Sequence, residues 1–353
     1  MKRLIPLFML VAAACQVNKP SPAALPTPYP LEASSTVVAS TAEVLIPPTD
    51  TLVPTIPAPT LAPTLASYES YTIDFLRSRT YGGGNIEITG TVEMTDSFTR
   101  YLIRYPSDGL DIHGFANVPK GAGPFPVIVA IHGFVDLATY ETLDYTTSAL
   151  DTITQAGYIV IHPNLRGYPP SEDGDNLFRV GMAVDVLNLI ALVKAESGPA
   201  ELFAAAAPEE IGLWGHSMGG SIALRVLTVS PDVRAAVLFA SMSGDELKNA
   251  ELLSNVSSDP RLQTELGTSP ADLERISPMY FYNYIRAPIQ LHHGGGDQTV
   301  PVAWAEETCN AISALRVQIE CNYYPTEDHT FRSRVADQLY GAVFRFYDTY
   351  LSP

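Results

Sequence analysis

An α/β domain built on a mostly parallel sheet, with helices covering both faces, is the fold class this sequence predicts. Three observations predict it. Short, continuously apolar runs recur along the second two-thirds of the 353 residues: PVIVAIHGF from Pro126, YIVIHPNL from Tyr158, IGLWG from Ile211, VRAAVLFAS from Val233 and APIQLHHG from Ala287. Segments of helical period separate them, around 142–155, around 182–196, from Ser217, and over 302–315. Strands buried on both faces read as continuous apolar runs, and helices between them supply the crossovers that parallel pairing needs. Finally, 46% hydrophobic content is enough for one large core.

In chain order, the amino terminus reads as an export signal. Lys2 and Arg3 precede an apolar run from Leu4 to Ala14, too short to span a bilayer as a helix, with small residues before Cys15. The run from Val11 to Cys15 resembles the lipobox of bacterial lipoproteins, which implies that Cys15 becomes the lipidated first residue on the extracytoplasmic face of the membrane. Ala12 stands where Leu is usual, so cleavage by an ordinary signal peptidase, and secretion, stays open. Residues 16–65 are rich in Pro, Thr, Ser and Ala, as in PTIPAPTLAPT. Proline removes backbone donors and fixes φ, so this stretch is expected to be a semi-extended tether with a reach on the order of 150 Å. Residues 66–97 read as an amino-terminal extension, and 98–353 as the main folded domain. That domain opens with FTRYLIRYP and LDIHGFANVP, two strands joined by a turn at Ser107 to Gly109. The stretch 241–286 between two core strands is too long for a simple connection and is expected to form a small helical cap.

The net charge is -17. Lys2, Arg3 and Lys19 balance Glu32, Glu43 and Asp50, so the whole excess falls after residue 65. An acidic domain excludes nucleic acid as a partner and leaves the lipid as the only route to a membrane. A monomer is expected.

In EEIGLWGHSMGGSIALRVL, Ser217 sits between Gly215 and Gly219 where an apolar run gives way to an amphipathic one. The G-x-S-x-G pattern fits a sharp turn that lifts a nucleophilic hydroxyl clear of its surroundings. It also fits a Gly-bounded helix start with Ser217 as an ordinary N-cap. Two later loops favour the first reading. Asp297 follows the strand APIQLHHG, and His329 follows VQIECNYYP, so serine, acid and histidine appear in the chain order of the α/β-hydrolase triad.

On IHGF at Ile131, NLRGY at Asn164, GHSMGG at Gly215, ISPMYF at Ile276, HGGGDQTVP at His293 and DHTF at Asp328, the chain resembles the α/β-hydrolase superfamily, and within it the prolyl-oligopeptidase and dienelactone-hydrolase-like group. The resemblance covers residues 98–351. It implies the α/β-hydrolase fold, with an eight-stranded sheet and the catalytic set Ser217, Asp297 and His329. Asp328 is the rival acid, but adjacent side chains point apart, which makes it the poorer orienter of His329. The oxyanion hole is expected from the backbone amides of Met218, directly after the nucleophile, and Phe134, after His132-Gly133. The same resemblance makes His132 and His216 structural. Arg166 and Tyr280 are candidate substrate contacts, with a salt bridge inside its own loop as the competing role for Arg166 and ordinary packing for Tyr280. His113, His162, His292 and His293 offer no ligand spacing, and neither metal nor cofactor is expected. Cys309 and Cys321 lie in consecutive elements of an exported domain, where a disulfide across the helix-sheet interface is expected against two buried thiols. The function implied is a serine hydrolase acting through an acyl-enzyme on carboxylic esters. A serine peptidase for short peptides is the alternative, and a non-catalytic surface binding protein a more distant one.

Overall fold

The computed structural model describes residues 68–144, 147–331 and 333–351. The export signal, Cys15 and the tether lie outside the described residues. Among the described residues no helix is long and apolar enough to cross a membrane.

Nine strands of the described residues form one sheet in the order β1-β2-β3-β5-β4-β6-β7-β8-β9. They are β1 (Glu87–Met94), β2 (Phe98–Ser107), β3 (Leu110–Pro119), β4 (Phe125–Ile131), β5 (Ile159–Pro163), β6 (Ala206–His216), β7 (Ala235–Phe239), β8 (Ile289–Gly294) and β9 (Ile319–Tyr324). The first three are antiparallel, β3 meets β5 antiparallel, and every later pairing is parallel. The expected count of eight is therefore corrected to nine. The added strand, β1, falls in the stretch assigned to an amino-terminal extension. Gly90 interrupts it, two register shifts break its pairing with β2, and most of its residues are exposed, so it carries no apolar run.

Among the described residues ten α-helices accompany the sheet: α1 (Ile73–Ser78), α2 (Thr147–Gln155), α3 (Val180–Lys194), α4 (Ala200–Phe203), α5 (Met218–Val229), α6 (Glu246–Ser254), α7 (Arg261–Leu266), α8 (Pro270–Ile276), α9 (Val302–Ser313) and α10 (Ser333–Tyr350). Successive side chains of a strand point to opposite faces. Val127, Val129 and Ile131 of β4 accordingly join one core with α3, α5 and α9, while Ile128 and Ala130 join the other with α2 and α10. That two-sided burial is why β4 reads as an unbroken apolar run. Helices α6, α7 and α8, followed by a 3-10 turn at Pro278–Tyr284, occupy the expected cap segment between β7 and β8.

Two features fix the site end of the sheet. From β4 the chain crosses to β5 on one side and then returns to β6 on the other. Such a switch point leaves a crevice at the carboxyl ends of the two central strands, where open α/β sheets bind ligands. At the β9 edge of the sheet, a disulfide joins Cys309 of α9 to Cys321 of β9, with Cα atoms 6.4 Å apart. Closing so short a loop stabilises the fold by about 3 kcal/mol on the chain-entropy estimate.

Candidate active site

Ser217 ends β6 and opens α5 with φ 56° and ψ -118°, a conformation disfavoured for any residue with a Cβ. The neighbouring glycines make this possible because the turn is crowded. A Cβ on Gly219 would lie 2.0 Å from the Ile131 carbonyl oxygen, and one on Gly215 would lie 2.6 Å from that of Gly219. Although Ser217 occupies the N-cap position, its side chain makes no cap hydrogen bond. Its hydroxyl is instead 2.9 Å from His329 Nε2, which sets aside the plain N-cap reading.

The other nitrogen of His329, Nδ1, donates to Asp297 Oδ2 at 2.8 Å. The second oxygen of Asp297 accepts the backbone amides of Thr299 and Val300 at 2.8 and 2.9 Å, which lock the carboxylate in plane with the loop after β8. Burial alone would raise this carboxyl, but hydrogen bonds from His293, His329 and the Val300 amide outweigh it and hold it well below the usual carboxylate range. Asp328 Oδ1 accepts from the amide of Thr330 at 3.2 Å, and the carboxylate against His329 Nδ1 is that of Asp297.

Three further histidines surround this line. His216 Nε2 donates to the His329 carbonyl at 3.1 Å, and burial pushes its pKa down to about 3, so the ring stays neutral. His132 places its two ring nitrogens 2.7 Å from the Gly133 and Asn164 carbonyls. In a trans peptide the amide N–H points opposite to the preceding carbonyl, so the Phe134 amide faces away from His132. His293 was not singled out from the sequence. Its Nε2 lies 3.3 Å from Asp297 Oδ2 and 3.0 Å from the Val300 carbonyl, and its buried Nδ1 has no hydrogen-bond partner among the described residues. Its position four residues before Asp297 was the available signal.

A cavity of about 580 Å³ is lined by Phe134 and by Met218, the residue that follows the serine. Met218 is the first residue of α5, so no earlier helical carbonyl is there to accept its amide, and the helix dipole favours negative charge at that end. The cap contributes Leu253, Val256 and Leu262 to the cavity wall.

The two candidate substrate contacts fall in different places. Arg166 lines the cavity, yet its guanidinium is engaged: Nη2 reaches Asp185 Oδ1 at 2.7 Å, Nε lies at 3.1 Å from Oδ2, and Nη1 donates to the Asp175 carbonyl at 2.9 Å. The partner sits on α3, not within the loop. Tyr280 is 53% exposed and does not line the cavity, because the inward position of its 3-10 turn belongs to Tyr282, which is buried.

A family model, the dienelactone hydrolase family, matches residues 112–345. The chain belongs to that family. Within the α/β-hydrolase superfamily, this dienelactone hydrolase family member is similar to several characterised folds. A Synechocystis protein described as a candidate carboxymethylenebutenolidase is 22% identical over 249 residues, which cover 67% of this chain and 88% of that protein. Acetyl xylan esterase 1 from Thermoanaerobacterium sp. superposes with a TM-score of 0.58 at 17% identity, covering 79% of this chain and 92% of that one. The acylaminoacyl peptidase of Pyrococcus horikoshii gives a TM-score of 0.58 at 18% identity over 77% of this chain. That match covers 51% of the peptidase, so the chain spans about half its length. At these identities the solved structures bear on the fold alone.

Proposed function

We propose that this protein is a serine hydrolase that cleaves carboxylic esters through an acyl-enzyme. The observation that carries the reading is the unbroken line from Ser217 Oγ through His329 to Asp297, at 2.9 and 2.8 Å, with the serine held in a strained turn and doing no capping. His329 Nε2 takes the proton as Ser217 Oγ attacks the ester carbonyl carbon. The oxyanion that forms faces the amides of Phe134 and Met218. As the tetrahedral species collapses, the alcohol leaves with the proton from His329, and water repeats the sequence to free the acid and regenerate the serine. Asp297 orients the imidazole and stabilises its charged form. The family takes its name from lactones, which are cyclic esters, and this supports esters over peptide amides.

The export signal supports a place in the bacterial cell envelope, with Cys15 lipidated and residues 16–65 as the spacer. Cys15→Ser is then expected to release active protein from membranes. The chemistry is tested by fluorophosphonate labelling of the full chain. Wild type should be labelled at Ser217, whereas Ser217→Ala and His329→Ala should each lower ester turnover by about a million-fold. A parallel panel of unactivated alkyl esters and blocked di- to tetrapeptides checks the bond class, and faster peptide cleavage would replace esterase by peptidase with the triad unchanged.

A further inference from the structure

With Ser217 read as an ester-cleaving nucleophile, the cavity that Phe134 and Met218 line receives part of the substrate, and its charges decide which kind. Three arginines line it: Arg166, Arg179 and Arg261. Each is already matched. Arg166 is bound to Asp185 at 2.7 Å, Arg179 to Glu246 at 2.5 Å and Glu265 at 2.9 Å, and Arg261 to Asp259 at 2.8 Å with Asp173 at 3.4 Å. The carboxylate of Asp136 lines the same cavity and is exposed. It accepts the Ala138 amide at 2.8 Å and has no cationic partner among the described residues. Leu137 and Val256 add exposed apolar surface to the same wall, at 49% and 60% exposure.

An incoming carboxylate would therefore give up water, find every guanidinium already facing an acid, and lie within the field of Asp136. An uncharged acyl group meets none of these costs. We infer that the cavity excludes acyl groups carrying a carboxylate, and that Asp136 at its apolar rim enforces the exclusion. Carboxylate-bearing lactones fall among the excluded substrates, whatever the family name suggests. The claim depends on the hydrolase reading but not on which alcohol leaves.

The test compares phenyl pentanoate with monophenyl pentanedioate, which share leaving group and acyl length and differ by one terminal carboxylate. Phenol release by the full chain is followed at pH 7 and low salt, with the non-enzymatic rate subtracted. The uncharged ester is expected to have a kcat/KM at least about ten-fold higher, since a carboxylate moved from water into a site with no free partner is costly. The ratio should shrink as salt is added and shrink by about three- to five-fold in Asp136→Asn, as a single exposed charge at short range would give. Equal rates, a preference for the acid ester, or a ratio that Asp136→Asn leaves alone would overturn the exclusion. Labelling with fluorophosphonate on the same samples separates the two failures. Labelled protein that cleaves both esters equally loses only the exclusion, whereas unlabelled protein that cleaves neither loses the hydrolase reading as well.

Discussion

At the scale of single residues, the candidate site depends on how few choices each side chain is left. Asp297 spends one oxygen on two backbone amides, so its other oxygen is fixed in direction before His329 arrives. His293 adds a second ring against that same oxygen, sharing one N–H between Asp297 at 3.3 Å and the Val300 carbonyl at 3.0 Å. A glutamine can place an amide donor close to the Nε2 position, whereas leucine fills the volume with no donor. His293→Gln is therefore expected to keep kcat within about three-fold of wild type, since one neutral hydrogen bond is worth about 1 kcal/mol and its donor is kept. His293→Leu should lower kcat by about ten- to a hundred-fold with KM little changed, because it removes one of the hydrogen bonds that keep Asp297 Oδ2 charged opposite His329, without touching the cavity. Steady-state kinetics on an uncharged phenyl ester decide it, and a rise in KM with constant kcat in His293→Leu would place His293 outside the line that orients His329.

At the scale of elements, the cap is tied to the sheet by buried charge. Glu246 on α6 accepts from Arg179, which precedes α3, and from Arg225 on α5, while Glu265 on α7 accepts from Arg179 and from the Phe178 amide. Burial alone would raise the Glu246 carboxyl, yet Arg179 and Arg225 hold it below its ordinary range. Glu246→Gln keeps the shape and leaves two buried guanidinium groups to one acid, so it is expected to cost about 3 to 5 kcal/mol in a denaturant titration. Glu69→Gln, which removes an exposed pair with Arg275, should cost under about 1 kcal/mol. The contrast explains what the sequence could show. Strands β4 to β8 were legible because burial on both faces writes itself as a local apolar run, and Ser217 and Asp297 because each follows such a run; His329 follows the partly exposed β9 and was legible from its place after them in the chain order. The ties between Glu246, Arg179 and Arg225, the pairing of Arg166 with Asp185 and the exposed strand β1 were not, since each depends on residues brought together only by the fold. The expected cap segment was read from its length alone, so its lining by Leu253, Val256 and Leu262 in place of Tyr280 could not be.

For the whole molecule, the acid side of the stability curve is set by histidines held neutral inside. Burial lowers His132, sends His162 well below its ordinary value, and brings His216 and His292 each to about 3. An unfolded chain titrates its histidines near pH 6.5, so below that pH it binds protons that the folded chain refuses, and stability falls as pH falls. For His216 and His292 the loss continues until about pH 3. Asp185, whose carboxyl burial raises, opposes this by at most one proton. Between pH 6 and 5 unfolding is therefore expected to take up about two to four protons, equivalent to roughly 3 to 5 kcal/mol per pH unit. His162 offers the clean check. Neither of its ring nitrogens has a hydrogen-bond partner among the described residues, and the ring stacks on Phe115 at 4.9 Å. His162→Phe keeps an aromatic surface there and removes one titrating group, so the uptake should drop by about one proton. The variant should gain stability relative to wild type at pH 5 more than at pH 7.5. Denaturant titrations at half-unit steps from pH 5 to 7.5 measure both slopes, and parallel curves for the two proteins would show that His162 already carries a proton in the folded chain.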